Sequence, residues 1–580
     1  PGGAPREVVF DVEPLAKDAR VRACVTGAGL AVGGSEGPRE DGTTATTVDG
    51  QPWPARATAA FLEPRPTSLF SKLGDIAERA ALFKPGWVGP WTFALMAFVL
   101  VLLWLGAAWT LTRAPPRAAL AAVAVIAFAN AAMWSLVTPA FQGPDENVHY
   151  AYAEYLGLTG SLPERTAGDR PGTSSDQRAA LAAVSHAGVI QYPETRPPWN
   201  PADERAWARA AAAPGITTRD GGGLTSASLR GPAFYVFPGL AARAGGGDAF
   251  DRLWLMRLVS ALFGALTAIL VALLMRELLP ERRWAAPAAG LLAAFQPMVS
   301  FGAGTVNPDA GANLAGAAIL YLGVRSLRRG LTPAGAAGIL AAFAYAVFAK
   351  ESMVAFAPVA AFPLLWPLRR RPVLLIGLAV AFAAAARTAI RTGAVSVPPQ
   401  SPFSGNVGWG QTASWVWQQA LPPLPFMDDL YTGPGGVAGW PTYVERVWGA
   451  FAWISVPFPQ WVFWLCAVGT VAFVLLAARA LRAHPERARA LAPVIAMFAL
   501  AVLCVALTAH LSFVPGKATD FVLEQGRYLF PALGAAVALA IAGCIGAGER
   551  RAPVLAAAIV GAFALLSAAG QFLVLERFYA

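Results

Sequence analysis

Runs of about 20 predominantly apolar residues recur along this chain, most of them closed by a short arginine cluster, and only a lipid bilayer can take up so many. Lipid offers no partner to a backbone N–H or C=O, so each run satisfies its own backbone by coiling into a helix. The runs fall at roughly 88–112, 118–139, 252–278, 286–304, 310–327, 332–349, 351–368, 372–390, 461–481, 490–511, 529–547 and 552–574. The fold class expected is therefore an all-α polytopic membrane protein with about 12 transmembrane helices. Composition agrees, with 56% hydrophobic and 14% charged residues where a soluble domain carries about 25% charged. The mean hydropathy is +0.49.

A net charge of +10 could point to nucleic acid, but the arginines are not gathered into one patch. Arg113/Arg117, Arg276/Arg282/Arg283, Arg325/Arg328/Arg329, Arg369/Arg370/Arg371, Arg479/Arg482/Arg487/Arg489 and Arg550/Arg551 all fall on one side of the expected topology, the cytoplasmic side by the positive-inside rule. No nucleic-acid partner is expected. The other side carries the N-terminal 87 residues and the loops 140–251, 392–460 and 512–528. Three of the four cysteines (Cys466, Cys504, Cys544) lie within apolar runs and Cys24 stands alone, so no disulfide framework is on offer.

Ahead of the spans, residues 7–12 and 20–26 alternate as strands do, and a glycine-rich break follows at 27–37. This reads as a small extracytoplasmic β-rich domain over 1–66, its beginning missing, since residue 1 is proline with no signal-like segment before it. Residues 67–87 read as a linker whose segment 68–80 has helical apolar spacing, either lying in the interface or packing on the bundle. A second interfacial candidate is 443–454, with Trp448 and Trp453. The membrane domain takes 88–580. The long loop 140–251, full of prolines and glycines, reads as a mobile lid or binding segment.

Chemistry concentrates at the outer ends of the spans. Asp145 and Glu146 sit in an acidic turn directly after an apolar run, with His149 one helical turn on. A carboxylate there can take a proton from an acceptor hydroxyl, or Asp145 simply caps the helix that follows. Asp145, Glu146 and His149 also have a spacing that can hold a divalent metal if another loop adds a ligand; the cofactor is otherwise open. Arg527 and Tyr528 stand where a loop re-enters the membrane. The guanidinium there fits a phosphate, pairs with Glu524, or snorkels. Arg230 and Tyr235 precede the third span, Asp309 follows Asn307-Pro308 between the fourth and fifth, and Lys350-Glu351 separates the sixth from the seventh. Arg387 and Arg391 end the eighth span on the outer side, against the charge rule, and read as ligands for anions or anionic lipid. Several loops thus bring ionisable groups to one face, as a single polar cavity would require.

The chain resembles bacterial multi-pass membrane proteins of formally unknown function grouped with the GT-C glycosyltransferase superfamily. Pro144-Asp145-Glu146 with His149, Gln296-Pro297, Asn307-Pro308-Asp309, and Gln525-Gly526-Arg527-Tyr528 with Pro531 carry the likeness, over roughly residues 90–575. The resemblance implies an inverting transferase in the plasma membrane that takes a sugar from a polyprenyl-phosphate donor. The acceptor would be an envelope glycan or glycolipid on the extracytoplasmic face. It places the base at Asp145, with Glu146 as its helper. His149, Arg527, Tyr528, Arg230, Tyr235, Asp309, Lys350 and Arg391 would serve the donor phosphate and substrates. A transporter or lipid flippase, with charges buried at mid-span and broken helices, and a non-catalytic envelope-assembly protein are the alternatives.

Overall fold

The computed structural model describes residues 71–191, 199–371, 409–419, 421–427, 439–483, 485–512 and 525–580, with Pro197 and short pieces elsewhere. The chain forms two compact units, Pro1–Ser71 and Lys72–Ala580. In the first, the described strands make two antiparallel pairs, Ser35–Glu36 with Ala55–Arg56 and Thr47–Val48 with Gln51–Pro52. The strand-like stretches 7–12 and 20–26 lie outside the described residues.

The second unit is helical. It opens with α1 (Leu73–Ala80), α2 (Pro90–Thr112), α3 (Pro116–Val137), α4 (Glu146–Thr159), α5 (Ser175–Ala183), α6 (His186–Gln191), α7 (Pro201–Ala211) and α8 (Val236–Gly245). It continues through α9 (Ala249–Leu278), α10 (Ala285–Phe295), α11 (Pro297–Ala303), α12 (Asp309–Arg329), α13 (Pro333–Ala349) and α14 (Ala357–Leu365). α15 (Trp409–Gln418), α16 (Gln460–Ala483), α17 (Pro485–Ser512), α18 (Leu533–Gly546) and α19 (Ala552–Tyr579) complete it. The start signals are local. Prolines at 90, 116 and 333 occupy first turns, where a missing N–H loses nothing. The Asp248 carboxylate accepts from Phe250 N at 2.8 Å and Asp251 N at 3.0 Å to open α9.

Among the described residues eight helices are long and apolar enough to cross a membrane, and nine if the bent pair α10–α11 counts as one span. Of the twelve runs expected, nine correspond to these spans among the described residues. The runs at 332–349 and 490–511 coincide with α13 and α17, whose apolar stretches are shorter, and 372–390 lies almost wholly outside the described residues. The run at 286–304 breaks by 65° at Gln296-Pro297, where the Gln296 side chain caps α11 by accepting from Val299 N at 2.7 Å. Proline has no N–H to continue the helix, and the freed polar groups are met by a side chain.

α9 is the axis of the bundle, packed against α3, α10, α12 and α8. Where helices meet within the membrane, polar side chains bind one another: Asn130 Nδ2 donates to Ser300 Oγ at 3.0 Å and Ser567 Oγ at 3.1 Å, tying α3, α11 and α19. At the arginine-rich end, Arg329 grips Glu277 through two bonds of 2.7 and 2.8 Å, and Arg282 pairs with Glu549 at 2.6 Å.

The long loop is far more ordered than its breakers suggest. Residues 140–251 hold α4 to α8, and Arg252 of α9 binds Glu154 of α4 at 3.1 Å and Asp176 of α5, drawing both down onto the bundle. Burial raises the Glu154 carboxyl above its ordinary value, with the Arg252 charge opposing. Segment 68–80 contains α1, whose Ile76 and Ala80 are buried and which packs on α19 and α2, so the packing alternative describes it. Segment 443–454 does not lie flat in the interface. Phe451, fully buried, sits 4.7 Å from the Trp134 ring and 5.7 Å from that of Phe301, and Ala450–Phe451 pairs with Val456–Pro457.

Candidate functional site

The acidic turn is built around a backbone conformation that side chains resist. Asp145, at the start of α4, has φ 57° and ψ 15°, the left-handed region, which Asp tolerates better than most residues. Its carboxylate is half-buried and hydrogen-bonds nothing among the described residues, so it does not cap α4. The next residue holds the turn. Glu146 is fully buried and accepts from Arg257 Nε at 2.8 Å, Arg257 Nη2 at 2.6 Å, Val306 N at 2.9 Å and Gly143 N at 3.2 Å. Four donors use the four lone-pair positions of a carboxylate. Glu146 is therefore a fastening and has no free oxygen for the catalytic part given to it from sequence. Arg257 also donates to the carbonyls of Ser135 (2.9 Å), Thr138 (2.8 Å) and Pro139 (2.7 Å), locking the end of α3 to the turn.

His149, one turn into α4, is buried and lies 2.9 Å through Nδ1 from the Tyr235 hydroxyl, whose ring stacks on Tyr152 at 3.9 Å. Burial, and then the Arg230 charge, lower the His149 pKa well below its ordinary value, while burial raises that of Tyr235. The Tyr235 hydroxyl and His149 Nδ1 share one hydrogen bond, which fixes the orientation of the ring. With Glu146 consumed by Arg257 and Nδ1 by Tyr235, these residues do not form a ligand set; no group of three metal-ligating side chains occurs among the described residues.

Arg230 reaches this place because Gly231 lets its loop touch the end of α13: a Cβ there would come 2.3 Å from the Phe348 carbonyl oxygen. The Arg230 guanidinium has no hydrogen bond or ion pair among the described residues, and its Nε is buried. Asp309, at the head of α12, pairs with Lys350 and lies 3.3 Å from Arg527 Nε. Lys350 sits 4.6 Å above the Tyr528 ring, a cation–π contact. Gly316 of α12 permits the approach of the Arg527-Tyr528 segment, since a Cβ there would meet the Pro531 carbonyl at 2.3 Å. Asn307 joins this group to the acidic turn, donating to the Pro144 carbonyl at 3.3 Å and accepting from Asp309 N at 2.9 Å.

Asp145, His149, Arg230, Tyr235, Asp309, Lys350, Arg527 and Tyr528, from five separated stretches of sequence, thus gather at one face and lie within electrostatic reach of one another. In this cluster three basic side chains, Arg230, Lys350 and Arg527, stand among the buried Asp309, the half-buried Asp145 and the exposed Glu351. A guanidinium without a protein partner, that of Arg230, can bind an anion near the equally unpartnered Asp145 carboxylate. Arg391 and Arg387 lie outside the described residues.

Sequence reasoning passed over Arg257, Arg252 and Tyr152. The two arginines had a signal: they stand within the first turns of a long apolar span, where a charge requires a partner.

A family model described as "Predicted membrane protein (DUF2142)" matches residues 128–535. The chain belongs to this family. The stretch shared with DUF2142 contains the acidic turn, Arg230, Asp309, Lys350 and Arg527-Tyr528, so the assembled pocket lies within the part of the chain that defines the family. No curated protein and no solved structure matches the chain.

Proposed function

We propose that this protein is an inverting glycosyltransferase that takes a sugar from a polyprenyl-phosphate donor at the extracytoplasmic membrane face and passes it to an envelope glycan or glycolipid. The observation that carries the reading is the pairing of a carboxylate free of protein partners, Asp145, with the cationic pocket of Arg230, Lys350 and Arg527. In the reaction Asp145 takes the proton of the acceptor hydroxyl, and that oxygen bonds to the anomeric carbon. The bond from carbon to the phosphate oxygen breaks, and its electron pair leaves with the lipid phosphate. The growing charge on the phosphate is met by the three cations. His149, oriented by Tyr235 and kept neutral by burial, adds a hydrogen-bonding group rather than a charge.

A second reading, a transporter or flippase, draws on the 65° break at Gln296-Pro297 and on Arg257 inside an apolar span. Arg257 is fully engaged by Glu146 and three carbonyls, which favours a fixed scaffold over a moving path.

The test is transfer of radiolabelled sugar from a panel of polyprenyl-phosphate sugars by purified protein in lipid nanodiscs, with cell-envelope extract as acceptor. Transfer by the wild type and loss of at least 100-fold in Asp145→Asn, with unchanged thermal unfolding, is the expected result. Retained turnover in that variant removes Asp145 as base; no transfer from any donor shifts the assignment to transport or assembly.

A further inference from the structure

A second group of polar atoms without partners lies behind the acidic turn. His186 is 9% exposed, and its Nδ1 has no hydrogen-bond partner among the described residues. Its ring stands 6.4 Å from that of Phe141 and 6.3 Å from that of Trp453, whose Nε1 is likewise buried and unpartnered. In the chain next to Phe141 and three residues before it, Gln142 Nε2 and Thr138 Oγ1 are also buried without partners. Polar atoms withdrawn from water and left unpaired are destabilising, unless something from outside fills their hydrogen bonds.

The backbone bends to place these side chains. Phe141 (φ 60°), Ser185 (φ 48°), Ala452 (φ 53°) and Ile454 (φ 65°) all take the left-handed conformation, and each is one of the three residues Phe141, His186 and Trp453 or stands next to one. For a β-branched residue such as Ile454 this is a costly conformation, of the kind that persists where function requires it. Trp453, Ile454 and Ser455 are only half-buried, so part of this segment reaches the surface.

An aromatic ring with an indole N–H, an imidazole, an amide and a hydroxyl, all in want of partners, is the inventory that a hydroxyl-rich ligand satisfies. We infer that His186 and Trp453 line a subsite for a saccharide, the acceptor glycan, which lies against Trp453 and hydrogen-bonds His186 and Gln142. This rests on the transferase reading for the word acceptor, not for the sugar. Phe141 precedes Asp145 by four residues in a tightly turned segment, with Glu146 N bonded to the Gly143 carbonyl at 3.0 Å. Phe141 thus ties His186 to the segment that carries Asp145.

Saturation-transfer NMR on the full chain in nanodiscs, with maltotriose, mannotriose, galactotriose and chitotriose as probes, tests it. At least one trisaccharide is expected to bind wild type and Asp145→Asn alike. His186→Ala and Trp453→Leu should weaken that binding at least 10-fold, and Trp453→Phe, which keeps a ring, should retain it. Binding with this pattern supports the subsite even where no transfer is observed, and then only the transferase reading falls. Binding of none of the four, or binding indifferent to His186 and Trp453 in folded variants, overturns it whatever the transfer assay shows.

Discussion

At the residue scale, Asp145 shows a conflict between stability and use. Its left-handed backbone costs roughly 1 kcal/mol in any residue bearing a Cβ, and its carboxylate collects no hydrogen bond in return. Asp145→Gly is expected to raise the unfolding free energy by about 1 kcal/mol while transfer is lost. A destabilised Asp145→Gly protein, measured by thermal unfolding in detergent, would show that the carboxylate has a structural partner after all. The sequence signalled the turn through Gly143-Pro144-Asp145 but could not say which of two adjacent carboxylates stays free. That depends on Arg257, which lies 111 residues away from Glu146 along the chain.

At the scale of elements, the fastening between α4, α3 and α9 is a buried ion pair, and such pairs are most damaging when half removed. Arg257→Leu leaves Glu146 buried without its counter-charge and should cost about 3–5 kcal/mol. The double variant Arg257→Leu/Glu146→Leu should recover part of that loss, and a double variant no better than the single one would contradict the pairing. Gly231 sets the approach of the Arg230 loop to α13. Gly231→Ala should cost about 1–3 kcal/mol by pushing the two apart, and should lower kcat for a lipid-phosphate donor, since Arg230 then meets the charge growing on the phosphate less well. A rise in KM at constant kcat would confine Arg230 to holding the donor instead. The spacing of motifs along the chain gave the elements but not these close approaches, which arise from glycines whose neighbours are distant in sequence.

At the scale of the whole molecule, burial of histidines gives stability a pH dependence. Burial lowers the His186 pKa to about 4, with the Glu146 charge opposing, and lowers that of His149 as well. In the unfolded chain both take up a proton near pH 6.5, and the folded chain resists. The unfolded state therefore binds more protons as pH falls below 6.5, and stability declines, for His186 by roughly 3 kcal/mol at the acid limit. The carboxyls of Glu154 and Asp176, raised by burial against the opposing Arg252 charge, act in the other direction at lower pH. The melting temperature should thus drop between pH 7 and 5, and His149→Gln/His186→Gln should flatten that slope. An equal slope in the double variant would assign it elsewhere.

The sequence by itself determined that this chain lives in a membrane, where its apolar runs lie and which ends of them carry ionisable groups. Those facts follow from the local cost of placing each residue type in lipid, which neighbours along the chain hardly alter. It did not determine that α10 and α11 are one bent pair, that the long loop is a folded helical layer, or that Glu146 is consumed while Asp145 is free. Those were decided by tertiary structure, because a hydrogen bond or an ion pair depends on distance in space, and the partners here stand tens to hundreds of residues apart.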